Sequence, residues 1–184
     1  MTKIYTIGHS TRPIEEFVSL LQTNGVERLV DIRTVPRSRH NPQYEQVALE
    51  TSLPEYGIEY VYLKQLGGLR SKAKDSVNLG WRNLSFRNYA DYMQTDEFAE
   101  GVERLIELAR DKTTAIMCAE AVPWRCHRSL VGDALLVRGV QVSDIMNETT
   151  VKDHNLTSFA VADGTRITYP EYEEAAQSSE ENQP

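Results

Sequence analysis

The sequence predicts an α/β fold: a three-layer sandwich around a mainly parallel sheet of about five strands, with a β-hairpin added at the C-terminal end. Three observations predict it. Short β-branched segments alternate with amphipathic helical ones as far as Ile145, the pattern of consecutive β-α-β units. The strand-like segments are apolar through their middles, as strands covered on both faces are. A length of 184 residues with 40% hydrophobic and 26% charged side chains suits one domain.

The first strand is Ile4-Tyr5-Thr6-Ile7, ending at Gly8-His9-Ser10-Thr11, a turn that also offers a helix N-cap. Pro13 suits a first helical turn, Ile14, Phe17, Val18, Leu20 and Leu21 recur at helical spacing, and Asn24-Gly25 ends the helix. Arg28-Leu29-Val30-Asp31-Ile32 is the second strand, expected to lie beside the first across a right-handed crossover. A loop over 33–43 with two prolines leads to a helix over 44–55, and Tyr60-Val61-Tyr62-Leu63 is the third strand. Residues 66–88 lack periodicity and are interrupted by Gly67, Gly68 and Gly80, which marks a long irregular loop. Helices are expected over 89–93 and 96–110, the second on Phe98, Val102, Leu105, Ile106 and Leu108. Thr113-Thr114-Ala115-Ile116-Met117-Cys118 is the fourth strand, 127–138 a helix closed by Gly139, and 140–145 the fifth strand. Residues 158–162 and 165–169 flank Asp163-Gly164, a hairpin signal with Asp-Gly as its two-residue turn.

The domain is assigned to residues 1–170 and an acidic, disordered tail to 171–184, where the composition turns to Glu, Ser and Gln. That tail carries five of the formal charges that make the net −7, leaving −2 for the rest. An acidic chain is therefore compatible with an anionic partner, because the remainder is nearly neutral and its basic residues are clustered. No apolar run approaches the roughly 18 residues that span a bilayer, and Met1-Thr2-Lys3-Ile4-Tyr5 leads directly into a strand. A cytoplasmic protein with no membrane partner is expected. Two cysteines eight positions apart are too few for a secreted disulfide framework.

In a parallel α/β sheet the ligand site lies outside the carboxyl ends of the strands. The three loops that leave those ends are unusual. Gly8-His9-Ser10-Thr11-Arg12 follows the first strand, Arg33, Arg37, Arg39 and His40 follow the second, and Glu120, Trp124, Arg125, Cys126, His127 and Arg128 follow Cys118 at the end of the fourth. Three of the four histidines and both cysteines fall here.

The ordered set Gly8-His9-Ser10-Thr11, Val30-Asp31-Ile32-Arg33, Pro36-Arg37-Ser38-Arg39-His40-Asn41-Pro42-Gln43-Tyr44, Leu66-Gly67-Gly68, Gly80-Trp81-Arg82, Tyr89-Ala90-Asp91-Tyr92-Met93 and Met117-Cys118-Ala119-Glu120 with Cys126-His127-Arg128-Ser129 resembles a bacterial and archaeal family known as domain of unknown function 488. The resemblance covers about residues 3–146. It implies a single α/β domain with these loops as its hallmark and implies no reaction. In layout, Asp31, Cys118, Arg128-Ser129 and the helix that follows are also similar in order to rhodanese-like sulfurtransferases and related phosphatases, although Arg128 follows Cys118 at a longer spacing than in those loops.

Arginine's planar donors suit phosphate, carboxylate or sulfate, and Arg33, Arg37 and Arg39 with His40 fall within eight residues that contain no acid. A solvated basic loop is the competing reading. Cys118, at a strand end before a helix, is placed where backbone N–H groups stabilise a thiolate. Glu120, His127, His9 and Asp31 are further candidates for proton or nucleophile work, each equally able to serve in an ion pair or the core. Arg33, Arg37, Arg39, His40, Arg125, Arg128, Ser10 and Trp81 are candidates for binding the substrate. No cofactor is expected; a metal held by Cys118, Cys126 and His127 is an alternative whose spacing is not that of a standard zinc site. Lys64, Arg70, Lys72, Lys74, Arg82 and Arg87, interleaved with Trp81 and Phe86, offer a surface for nucleic acid, or a loop anchored to the core.

Three functions are compatible with these residues. The first is an enzyme acting on a phosphate-, sulfur- or carboxylate-bearing substrate in an Arg/His/Cys-rich pocket. The second is a nucleic-acid-binding protein using the basic loops at 33–40 and 64–87, and the third a thiol redox or metal-binding protein. The partner is accordingly a small anionic molecule or a nucleic acid.

Overall fold

A computed structural model describes residues 2–171, so most of the acidic tail assigned to 171–184 lies outside the described residues. The strands are β1 (Lys3–Gly8), β2 (Arg28–Asp31), β3 (Glu59–Tyr62), β4 (Thr114–Cys118), β5 (Gln141–Ile145), β6 (Val151–Asp153), β7 (Val161–Asp163) and β8 (Arg166–Thr168). The helices are α1 (Ile14–Thr23), α2 (Gln46–Glu55), α3 (Leu84–Tyr92), α4 (Asp96–Leu108) and α5 (Arg128–Leu136). One sheet runs β3-β2-β4-β1-β5-β6, parallel except for β6, and β7 with β8 forms a separate antiparallel hairpin.

Alternation along the strands divides the core into the expected layers. Ile7, Leu29, Ala115 and Met117 meet Phe17, Leu21, Leu49 and Leu53 from α1 and α2. On the opposite face Ile4, Val30, Ile116 and Val142 meet Tyr89, Phe98, Val102, Leu105, Leu130 and Leu135 from α3, α4 and α5. Central β4 is buried along its whole length. Helix α4 shows how local chemistry sets a boundary. The Thr95 hydroxyl accepts from Phe98 N at 3.3 Å, Asp96 and Glu97 oppose the helix dipole, and Phe98, Val102 and Leu105 make one buried stripe.

Four sequence expectations change. β1 and β2 are not neighbours, because β4 pairs with both and separates them; adjacency of consecutive strands is only a tendency, and a later buried strand takes the central place. A sixth strand, β6, pairs antiparallel with β5 and is exposed throughout, so no apolar pattern announces it. The hairpin turn is Gly164-Thr165, since Asp163 pairs with Arg166; Gly164 at φ 61° supplies the positive φ that a two-residue turn needs at its first position. Helix α3 begins at Leu84 instead of 89, because Asn83 caps it by accepting from Phe86 N at 3.2 Å.

The connections through α1 and α2 step along the sheet in one direction and cover one face. Those through α3, α4 and α5 return along the other face. A single handedness of crossover demands this segregation. It also makes the loops after β4 and its two neighbours diverge, which opens a crevice at their carboxyl ends.

Candidate active site

Into that crevice the loops after β2, β3 and β4 bring Arg33, Arg37, Leu69, Cys118, Glu120, Arg125, Cys126 and His127, with Phe86 from α3, around a cavity of about 310 Å³.

The first loop is shaped by a close approach. Gly8 pairs in register with Cys118 on β4, and the Glu120 carbonyl lies directly over its Cα. The backbone follows β4 beyond the strand end, with His9 N donating to Cys118 O and Ser10 N to Ala119 O, each at 2.9 Å. Ser10 takes a positive φ of 48°, a conformation costly for a residue with a Cβ. That turn lets His9 Nδ1 donate to the Ser10 carbonyl at 2.8 Å. The imidazole is buried, stacked on Tyr44 at 4.2 Å between centroids, with Nε2 turned to Arg33 Nη1 at 3.5 Å. Burial, reinforced by Arg33, pushes His9 down to about 4, so it is neutral at pH 7.

The second loop is anchored by a buried ion pair. Arg33 donates from Nε and Nη2 to the two oxygens of Asp31 at 2.9 and 2.7 Å, and Tyr60 OH donates to Asp31 at 2.6 Å. A further bond runs from Arg33 Nη2 to Tyr44 O at 2.8 Å. Asp31 is fully buried and, with Arg33 N also donating to Oδ1 at 3.1 Å, accepts two hydrogen bonds on each oxygen, which makes it the residue that holds Arg33 in place. Arg37 lines the cavity and is exposed, while Arg39 and His40 are exposed farther along the loop and do not line it.

The third loop holds the thiols. Cys118 and Cys126 abut sulfur to sulfur and are paired as a disulfide. Arg128 is fully buried at the start of α5 and points its guanidinium at them: Nη1 is 2.8 Å from Cys118 Sγ. Its remaining donors reach the Glu120 carbonyl from Nη1, the Ala121 carbonyl from Nη2 at 3.1 Å and Thr6 Oγ1 from Nε at 3.2 Å. No carboxylate among the described residues forms an ion pair with it. Burial lowers even this guanidinium to about 10, although the charges of Asp144 and Glu120 pull the other way. The Arg128 N–H donates to Cys126 Sγ at 3.4 Å, and His127 Nδ1 is 3.6 Å from the same sulfur. His127 Nε2 donates to Ile32 O at 2.9 Å, fixing its tautomer, and burial pushes it down to about 4. A Cβ on Gly68 would stand 2.6 Å from His127 Nδ1, so only glycine admits the ring there.

The structure thus brings Cys118, Glu120, His127, Arg33, Arg37 and Arg125 to one cavity and sets Arg128, Asp31 and His9 behind its walls. Glu120 contributes its carbonyl to the buried network and leaves its carboxylate exposed. Ser10 supports His9. Trp81 packs on Phe86, Phe159 and Tyr169 away from this cavity, facing a second one of about 380 Å³. Of the basic residues at 64–87, Arg70 bonds the carbonyls of Lys64, Gln65 and Gly67 and stacks on Tyr92 at 3.5 Å, and Arg87 bonds Trp81 O. Sequence reasoning missed Thr6, Tyr60 and Asp144. Their signal was a polar or charged side chain inside an otherwise apolar strand.

No group of three or more His, Cys, Asp or Glu among the described residues is arranged to hold a metal ion, and no described helix is long and apolar enough to cross a membrane. A protein-family model described as "Domain of unknown function DUF488" matches residues 13–135. No curated protein and no solved structure matches the chain.

Proposed function

Because the chain belongs to the DUF488 family, whose description assigns no activity, we propose from its own residues that it is an enzyme using Cys118 as a thiolate nucleophile on a small anionic substrate. The observation that carries this reading is the Arg128 guanidinium, fully buried, 2.8 Å from Cys118 Sγ and without a carboxylate ion-pair partner among the described residues. A buried cation demands a counter-charge, and once the Cys118–Cys126 disulfide is reduced a thiolate at Cys118 is one. Arg128 in turn favours the thiolate over the thiol, which makes Cys118 a nucleophile at neutral pH. Arg37 and Arg125 are the exposed cations of the cavity and supply the donors for a phosphate, sulfonate or carboxylate group. Arg33, locked by Asp31, forms the rigid back wall, and Leu69 and Phe86 give the substrate an apolar contact.

A second reading, thiol redox chemistry, is favoured by the abutting sulfurs of Cys118 and Cys126. It uses the same sulfur: by exchange with a dithiol substrate the Cys118–Cys126 disulfide is reduced to the Cys118 thiolate and the Cys126 thiol while the substrate is oxidised to its disulfide and one proton is released. Nucleic-acid binding has weaker support, because Trp81 and two of the six cations at 64–87 are engaged within the fold.

The test is alkylation of the reduced protein by iodoacetamide as a function of pH, with inorganic sulfate or phosphate as protecting ion. Cys118 is expected to react below the pH range of an ordinary thiol, near 8.5, and to be protected by the anion; Cys118→Ser removes the reactive group. Alkylation of Cys118 with the pH dependence of a free thiol overturns the thiolate reading. Unprotected alkylation together with salt-sensitive RNA or DNA binding favours the nucleic-acid alternative.

A further inference from the structure

Behind Arg128 runs a line of buried polar groups that the cavity does not touch. Thr6 on β1 and Asp144 on β5 are register partners on adjacent parallel strands. The Thr6 hydroxyl accepts from Arg128 Nε at 3.2 Å and donates to Asp144 Oδ1. Since a hydroxyl has one proton to give, the direction of both bonds is fixed: guanidinium to hydroxyl, hydroxyl to carboxylate. Asp144 is buried and lies 3.8 Å from His154 Nδ1, and His154 Nε2 bonds Asp133 at 2.9 Å. Four charged groups, Arg128, Asp144, His154 and Asp133, therefore alternate in sign through the interior and end at Cys118.

We infer that Thr6 and Asp144 are positioning residues for Cys118, holding Arg128 against its sulfur and setting how much of the Arg128 charge that sulfur feels. The inference rests on the thiolate reading above. Thr6 fixes the guanidinium through Nε, the one nitrogen of the group that does not bond the sulfur or a loop carbonyl. Asp144 draws part of the positive charge away from the thiol side. A threonine–asparagine pair would satisfy the same hydrogen bonds, so a buried carboxylate at this place has an electrostatic consequence beyond packing.

The opposite signs of these two effects make the test. The remaining charged or titratable groups around Cys118 are held constant: Glu120, Arg125 and His127 in its own loop, Arg33 and Arg37 from the loop after β2, His9 and Arg12 from the loop after β1; Cys126 is replaced alike in every protein compared. The reduced Cys126→Ser protein leaves Cys118 as the sole thiol, and its alkylation rate by iodoacetamide is followed against pH. Asp144→Asn keeps an acceptor for Thr6 but removes the competing charge, and is expected to raise the alkylation rate about threefold at pH of about 5.5. Thr6→Val frees Arg128 and is expected to lower that rate about threefold or more, with Thr6→Ser restoring it. A merely structural role moves both variants the same way, toward an ordinary thiol, and overturns the inference. If Asp144→Asn does not fold, by circular dichroism, the Thr6→Val and Thr6→Ser pair decides: no loss, or loss without rescue, also overturns it. An ordinary thiol profile in the Cys126→Ser parent defeats the function reading itself; an acid-reactive parent unmoved by either substitution defeats this inference alone.

Discussion

Gly8 and Glu120 are packed so closely that a Cβ on Gly8 would meet the Glu120 carbonyl oxygen at 1.6 Å and Arg128 Nη1 at 2.9 Å. The first contact is with backbone, so no rotamer relieves it. Gly8→Ala must push the Cys118-to-Arg128 loop off β1 and is expected to cost on the order of 3 kcal/mol. It also draws Arg128 away from Cys118. Urea unfolding measures the first effect, and a rise in the pH needed for Cys118 alkylation measures the second.

Asp31 forms the ion pair with Arg33 and Tyr60 donates a hydrogen bond to it, and the two differ in what their loss leaves behind. Asp31→Asn strands the buried Arg33 guanidinium, now facing a neutral amide, and is expected to destabilise by about 3–5 kcal/mol. Tyr60→Phe removes a single donor from a carboxylate that keeps its Arg33 bonds, an expected loss of about 1 kcal/mol. Chemical denaturation of the two variants side by side checks the ratio, and equal losses would show that Asp31 does not carry the charge of Arg33.

How far the sequence foretold this site follows from the kind of signal each residue leaves. Cys118 was legible because it ends a strand, and Arg33, Arg37, Arg125 and His127 because they follow strand ends in loops, where chemically unlike residues crowd together and the parallel sheet fixes their common rim. The three layers were legible from alternating apolar runs. The order of the sheet was not, since β4 is inserted between β1 and β2 by long-range packing that no local pattern encodes. Nor was the division of labour within the site. Asp31 and Arg33 are two residues apart and read equally well as base and anchor; only the bidentate geometry makes them one unit. Trp81 illustrates the converse: an aromatic among cations suggested stacking on a base, but its ring is committed to Phe159 and Tyr169 from the C-terminal segment.

Arg37 and Arg125 are exposed at the cavity and make no ion pair among the described residues. Truncation of either to alanine is expected to leave the thermal midpoint within experimental scatter, as surface substitutions do. The sulfate concentration that protects Cys118 from alkylation should rise about tenfold for each, the worth of one charge-assisted contact. Protection unchanged in both variants would move the anion site elsewhere.

Stability should peak near neutrality, because three histidines, one buried and two half-buried, titrate in opposite senses. Burial holds His9 and His127 down at about 4, so both are neutral when folded and acquire protons on unfolding below about 6.5. The unfolded state then binds two more protons than the native state, and stability falls with acid by about 1.4 kcal/mol per pH unit for each histidine until pH approaches 4. His154 behaves the other way: burial opposes its charge, but the bonds to Asp133 and Asp144 outweigh that and raise it to about 9. Its contribution is complete below about 6.5 and is lost as pH rises through 9, a decline on the order of 2 kcal/mol after discounting for solvent screening. Urea unfolding across this range should therefore show a steep acid limb and a shallower alkaline one. His154→Asn is expected to flatten the alkaline limb while leaving the acid slope in place; an alkaline limb of unchanged slope in that variant would mean that the Asp133–His154–Asp144 cluster does not hold the proton.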